Sequence, residues 1–103
     1  MAERAVRQLS ERFDPVEVER WVNRIGHRLQ RGDMSERALE LFEFNTHIFP
    51  ESWNTWDSLG EAHLNLGHKE EAIRAYQKSL ELNPDNKDAE KMIEWIKKDK
   101  RNK

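Results

Sequence analysis

The feature that most constrains the fold is a pair of amphipathic helical patterns joined by a short, glycine-containing break. Both lie in residues 53–86, which read WNTWDSLGEAHLNLGHKEEAIRAYQKSLELNPDN. Apolar residues recur there every three or four positions, so each segment must bury one stripe of a helix. Gly67 suits the left-handed residue that closes the first helix, and Pro84 ends the second. The stretch therefore predicts a helical hairpin.

Two small residues indicate how this hairpin closes. Gly60 falls on the inner face of the first helix, and Ala72 falls near the start of the second. A larger side chain at either position would hold the two helices apart. Because glycine inside a helix costs roughly 1 kcal/mol relative to alanine, close packing of the helices is the expected compensation.

The spacing of these residues resembles the tetratricopeptide repeat, a helix–turn–helix unit of about 34 residues. The positions that carry the resemblance are Trp56, Leu59, Gly60, His63, Ala72, Tyr76 and Pro84. One repeat length earlier, the chain has Val22, Ile25, Gly26, Leu29, Ala38, Phe42 and Pro50. The departure is His63, where the family usually has tyrosine. We therefore predict two tandem repeats, at residues 19–52 and 53–86.

The segments on either side complete the predicted domain, which spans residues 1–103. Residues 1–14 form an amphipathic helix, which either caps the array or associates with a partner or a second copy. Asp14 caps the next helix, and Pro15 suits its first turn. Residues 87–98 form a C-terminal capping helix, and residues 99–103 form a basic tail. The fold class is all-α, a short right-handed α-solenoid of two helical hairpins flanked by one helix at each end.

Three residues carry separate expectations. Trp21 belongs to the buried stripe of the first repeat. Asn45 stands where the family has a small apolar residue, and we expect it near Trp56 or Gly60, bonded to backbone. Trp95 lies toward the edge of the terminal helix, and two placements remain open for it: folded back on the second repeat, or exposed for binding, where tryptophan is enriched.

Composition excludes several classes of function. The net charge of -2 argues against a general nucleic-acid binder, and the chain has no cysteine for disulfide or thiolate chemistry. There is no apolar run long enough to span a membrane and no signal peptide, so the cytoplasm is the default expectation. The four histidines are scattered, and no catalytic, metal or cofactor motif is present. We expect a protein that is not an enzyme and that has no cofactor.

The family resemblance implies a concave groove, lined by the first helix of each hairpin, that binds peptides or helices of other proteins. When the register of the family's repeat is applied to this chain, the residues expected to face the groove are Arg20, Asn23, Arg24, His27, Arg31, Asn54, Asp57, Ser58, Glu61, Asn65, Lys91 and Trp95. The wall from the first repeat is basic and the next is acidic. The arginines suit an acidic partner, because a guanidinium binds carboxylate through two parallel hydrogen bonds. The alternative is a merely solvated face with internal salt bridges.

The resulting hypothesis is a non-enzymatic protein–protein interaction module that takes a peptide or partner helix in its groove. A second resemblance, to repeat tails attached to bacterial serine hydrolases of the β-lactamase type, rests on Phe49–Asn54 and Asp57–Ala62. It implies an accessory domain of such an enzyme. A structural or self-oligomerising unit, such as a homodimer, is the third alternative.

Overall fold

The computed structural model describes Arg4, Gln8 and residues 14–99, and residues 14–99 contain five α-helices. These are α1 (Pro15–Arg31), α2 (Ser35–Ile48), α3 (Trp53–Asn65), α4 (Lys69–Leu82) and α5 (Lys87–Lys98). The predicted all-α class is confirmed. The expected N-terminal helix and basic tail lie mostly outside the described residues. None of the helices in the described part is long and apolar enough to cross a membrane.

The ends of the helices follow the local sequence signals. The side chain of Asp14 accepts a hydrogen bond from the Val16 N–H at 3.0 Å, and Pro15 occupies the first turn of α1. Gly67 has φ +81°, the left-handed conformation predicted for it. One repeat length earlier, Asp33 takes the same conformation with φ +66°. Both hairpins therefore turn at equivalent positions, although only the second uses glycine.

Each helix packs on the next along the chain, which gives a short array of helical hairpins. Both hairpins close at the glycine of their first helix. A Cβ placed on Gly26 would lie 2.4 Å from the Phe42 ring, and one placed on Gly60 would lie 3.0 Å from the Tyr76 ring. The close packing predicted at Gly60 is therefore present, and the equivalent contact at Gly26 is tighter.

A second pair of equivalent contacts joins the helices of each hairpin through a buried polar side chain. The Ser79 hydroxyl donates to the Trp53 carbonyl at 2.9 Å, and Asn45 Nδ2 donates to the Glu19 carbonyl at 3.3 Å. Asn45 is fully buried and bonded to backbone, as expected, but its partner belongs to α1 rather than to the following repeat. The bond lies within its own hairpin, and the placement of Asn45 near Trp56 or Gly60 stays a prediction.

The exposed tryptophans correct one prediction and answer one open question. Trp21 is 49% exposed, so its assignment to the buried stripe of α1 was wrong. The buried residues Val18 and Val22 of α1 pack against Leu41 and Ile48 of α2. Trp95 is also 49% exposed, which favours the exposed one of its two expected placements. The rest of α5 packs as a cap should, since its Ala89, Ile93 and Ile96 form one buried cluster with Ala72 and Tyr76 of α4.

Candidate functional site

The first helices of the array, α1 and α3, together with α5, carry all the residues predicted to bind a partner, and we call their shared face the groove surface. Seven of the predicted residues are exposed: Arg20, Arg24, Arg31, Glu61, Asn65, Lys91 and Trp95. Four are half-buried: Asn23, His27, Asn54 and Asp57. Ser58 is only 3% exposed, so its prediction as a residue open to a partner was wrong.

Ser58 instead takes part in a contact between α1 and α3. Its hydroxyl lies 3.3 Å from His27 Nε2, and His27 Nδ1 lies 3.3 Å from Gln30 Oε1. With that amide oxygen as acceptor, the imidazole proton is on Nδ1, and Ser58 donates to Nε2. Glu61 Oε2 is 3.7 Å from the same Nδ1, and the imidazole packs against the Phe42 ring at a centroid distance of 5.1 Å. The contact fixes the spacing of the two helices beneath the groove surface.

The order of hydroxyl, imidazole and carboxylate in this contact is that of a nucleophilic triad, but its setting does not suit catalysis. Ser58 is buried in the middle of α3, where the backbone N–H groups are engaged in helical hydrogen bonds. They cannot serve as donors to a developing oxyanion. The arrangement positions helices rather than presenting a nucleophile.

Asp57 is held at the edge of the groove surface by a residue that sequence reasoning missed. The Asn86 side chain donates to Asp57 Oδ1 at 3.2 Å and to the Ser79 hydroxyl at 2.9 Å, and its own Oδ1 accepts from the Ala89 N–H at 3.3 Å. Asn86 thus caps α5 and ties it to α3 and α4. An asparagine directly before an amphipathic pattern is the signal that could have identified this cap.

The environment of Asp57 disfavours its charge. Burial raises the pKa of this carboxyl above its ordinary value, and the nearby Asp88 carboxylate raises it further. The hydrogen bond from Asn86 and the proximity of His27 act in the opposite direction and do not cancel the effect. Burial, with smaller contributions from Asp57 and Glu61, also raises the pKa of the Tyr76 phenol, so that group stays neutral.

The arginines of α1 are not neutralised by these acids. Among the described residues, no ion pair joins Arg20, Arg24 or Arg31 to Asp57 or Glu61. Asp57 is engaged by Asn86, and Glu61 lies beside His27. Asn23 of α1 is half-buried, and its amide oxygen has no hydrogen-bond partner in the described part of the chain. The groove surface therefore presents open guanidinium groups.

Other kinds of site find less support. Within the part of the chain that the structure describes, no group of three or more His, Asp or Glu residues lies close enough together to hold a metal ion. One hollow in the described part of the chain, of about 480 Å³, lies at the turn between α1 and α2, beside Leu29, Met34 and Leu41. It is open and lies away from the groove residues, so it does not extend the groove surface.

Comparison with known proteins identifies one segment directly. The family model for the tetratricopeptide repeat matches residues 53–86. Over 66 residues, the chain is 35% identical to Superkiller complex protein 3 of Mus musculus and 33% identical to Superkiller complex protein 3 of Homo sapiens. Each match covers 64% of this chain but only 4% of the relative. The chain is thus similar to a small part of these proteins.

These matches agree with the geometry of the second hairpin, whose helices meet at Gly60 and Tyr76. They do not extend to the hydrolase tails that the sequence also resembled, and that resemblance stays a prediction. Residues 53–86 are a tetratricopeptide repeat, set within a short all-α array of helical hairpins.

Proposed function

We propose that this chain is a non-enzymatic interaction module that binds an acidic, extended segment of a partner protein along α1. Two findings support a role in protein binding: the repeat family is one that mediates protein–protein interaction, and the relatives are named as a protein of a complex. The observation that carries the acidic ligand is the row of exposed arginines, Arg20, Arg24 and Arg31, which have no acidic partner among the described residues.

The length of this row sets the size of the ligand. Arg20 and Arg31 are separated by about 16 Å along α1, at 1.5 Å per residue. An extended peptide covers about 3.3–3.6 Å per residue, so the row faces four or five residues. Carboxylates at alternate positions of such a peptide would each meet a guanidinium, which binds them through paired hydrogen bonds.

The rest of the groove surface limits where the ligand lies. Asp57 and Glu61 on α3 repel an acidic segment, so the segment runs along α1 and does not cross the middle of the groove. Lys91 and Trp95 on α5 form a separate exposed group, which suits an apolar or aromatic residue of the partner beyond the acidic stretch. The charges therefore favour α1 for the acidic stretch and α5 for an apolar residue of the partner.

The direct test uses two fluorescein-labelled peptides, one with five consecutive glutamates and one with five glutamines in the same flanks. Fluorescence anisotropy would compare the wild type with Arg24→Glu and with Arg74→Glu, a matched reversal at an exposed arginine on α4. We expect the wild type and Arg74→Glu to bind the glutamate peptide, and Arg24→Glu to bind it about tenfold or more weakly, a difference of roughly 1.4 kcal/mol.

Salt and stability separate binding from folding. Added salt should weaken binding of the glutamate peptide, because exposed charges are screened over about 10 Å at 0.1 M. The melting temperature of Arg24→Glu should stay near that of the wild type, because its guanidinium has no ion pair to lose among the described residues. Equal binding of both peptides, or binding unchanged by Arg24→Glu, would contradict an acidic ligand on α1.

A further inference from the structure

Two histidines meet at the turn that joins α3 to α4. His63 lies in the last turn of α3, and His68 is the residue that precedes α4. Their Nδ1 atoms are 3.2 Å apart, and their ring centroids are 5.4 Å apart at an interplanar angle of 49°. The turn itself fixes this approach, because the His68 N–H donates to the His63 carbonyl at 2.8 Å. The pair is exposed at one end of the second hairpin.

The separation of the two nitrogens matches what a metal ion requires. Zinc binds imidazole nitrogen at about 2.0–2.1 Å, and a tetrahedral angle between two such bonds places the nitrogens about 3.3 Å apart. The hydrogen bond between the rings already brings them to that distance. One ring now carries the shared proton on Nδ1; chelation needs that proton on Nε2, a change of tautomer that leaves both rings neutral.

The charges around the pair suit a cation on balance. Glu43 of α2 and Glu71 of α4 act on His63 from two sides, and Arg74 of α4 opposes them. Glu71 lies in the first turn of α4 and is, with Glu43, one of two carboxylates that act on His63.

We propose that His63 and His68 form a bidentate site for a divalent transition-metal ion of the kind that prefers imidazole, namely Zn²⁺, Ni²⁺ or Cu²⁺. Water molecules complete the coordination shell, because the described residues offer no third ligand at the same distance. The site should not bind Mg²⁺ or Ca²⁺, because these ions prefer oxygen ligands. The site is independent of the proposed peptide function.

Metal binding would act on the hairpin as a clamp. The two ligands come from the end of α3 and the beginning of α4, so an ion holds together the two helices that meet at Gly60 and Tyr76. The ion binds the folded hairpin, in which the rings are already paired, better than the unfolded chain. At a free metal concentration ten times the Kd, this linkage raises the ratio of folded to unfolded protein about elevenfold.

The test measures the melting temperature of the full chain by circular dichroism with and without ZnCl₂, NiCl₂ or MgCl₂. Two variants remove one ligand each without removing the fold. His63→Tyr restores the residue that the repeat family usually has at this position. His68→Asn places a preferred capping residue before α4, where the His68 side chain makes no capping hydrogen bond. A third variant, His47→Gln, alters a histidine at the far end of α2 and serves as the control.

We expect Zn²⁺ and Ni²⁺ to raise the melting temperature of the wild type and of His47→Gln, and Mg²⁺ to leave both unchanged. Both ligand variants should lose the metal effect while keeping a melting temperature close to that of the metal-free wild type. With Cu²⁺, electron paramagnetic resonance should show coupling to two nitrogens in the wild type and to one at most in His63→Tyr.

Two results would overturn the site. One is a metal effect of equal size in the wild type, His63→Tyr and His68→Asn, which would place the ion elsewhere on the chain. The other is no shift at about 1 mM metal, a concentration that would fill about nine-tenths of a site with a Kd of about 0.1 mM.

Discussion

At the scale of single residues, each hairpin closes with a contact between a glycine and an aromatic ring, but the two contacts leave different room for a side chain on the glycine. The ring of Phe42 is fully buried and lies 2.4 Å from the position of a Cβ on Gly26. The ring of Tyr76 lies 3.0 Å from the equivalent position on Gly60. The first ring must be displaced by any side chain, whereas the second needs to move by only a few tenths of an ångström.

We therefore predict that substitution by alanine destabilises the protein at one of these glycines and not at the other. Gly26→Ala overpacks the first hairpin and should cost about 1–3 kcal/mol of unfolding free energy. Gly60→Ala should be nearly neutral, because the better helix propensity of alanine, about 1 kcal/mol, offsets the crowding. Urea unfolding of the two variants would compare their midpoints, provided that the m-values are equal. Equal midpoints, or a lower one for Gly60→Ala, would contradict the geometry of the crossings.

Asp57 gives a prediction that depends on pH. Its folded pKa is raised, chiefly by burial, so its ionised form is less favourable in the folded than in the unfolded chain. Stability from this group is present below the unfolded pKa, near 3.8, and is lost as pH rises through the folded pKa. Asp57→Asn avoids that loss and keeps an oxygen to accept from Asn86.

The melting temperature of Asp57→Asn should therefore exceed that of the wild type at pH 7, and the difference should shrink as the pH approaches 4. Removal of this negative charge from α3 should also strengthen binding of the glutamate peptide. Asp85→Asn, the same change at an exposed position between α4 and α5, is the control and should show no comparable difference. If Asp57→Asn were less stable than the wild type at pH 7, the hydrogen bond from Asn86 and the proximity of His27 would outweigh the cost of burying the Asp57 charge.

At the scale of helices, α5 completes the array by covering α4. Its Ala89, Ile93 and Ile96 bury Ala72 and Tyr76, and Lys69 of α4 lies 3.6 Å from the carboxylate of Asp99 beyond the end of α5. The outer face of α5 is mostly charged. Repeat arrays need such a terminal helix to stay soluble.

Deletion of residues 87–103 should expose the apolar face of α4 and cause the chain to associate. Sedimentation velocity would compare this truncation with a shorter one that removes residues 100–103 only. We expect the long truncation to sediment as larger species or to precipitate, and the short one to behave like the full chain. A long truncation that stays folded and sediments like the full chain would contradict the covering role.

The sequence predicted these helices well because their signals are local. Asp14–Pro15, Gly67 and Pro84 mark helix ends by backbone chemistry alone, and the two glycine–aromatic contacts repeat at a fixed spacing. The buried polar side chains were harder to predict. Asn45 and Asn86 are defined by partners on other helices, and spacing along one helix does not show which carbonyl or carboxylate will meet them.

At the scale of the whole molecule, the exposure of a residue depends on what the array places beside it. Trp21 lies on a helical stripe that predicts burial, and Trp95 lies at the edge of such a stripe, yet both are 49% exposed. Ser58 shows the converse, since the approach of α1 to α3 buries a residue predicted to face a partner. The set of groove residues stays a prediction, and the exposure of each one could not be predicted from its spacing along a helix.

Binding of an acidic segment along α1 can be tested by locating that segment on the folded chain. Titration of ¹⁵N-labelled chain with the glutamate peptide, followed by amide chemical shifts, would map the contact. We predict the largest shift changes from Arg20 to Arg31, with smaller ones near Asp57 and Glu61 on α3. Changes confined to α2 and α4, or identical changes with the glutamine peptide, would contradict the claim.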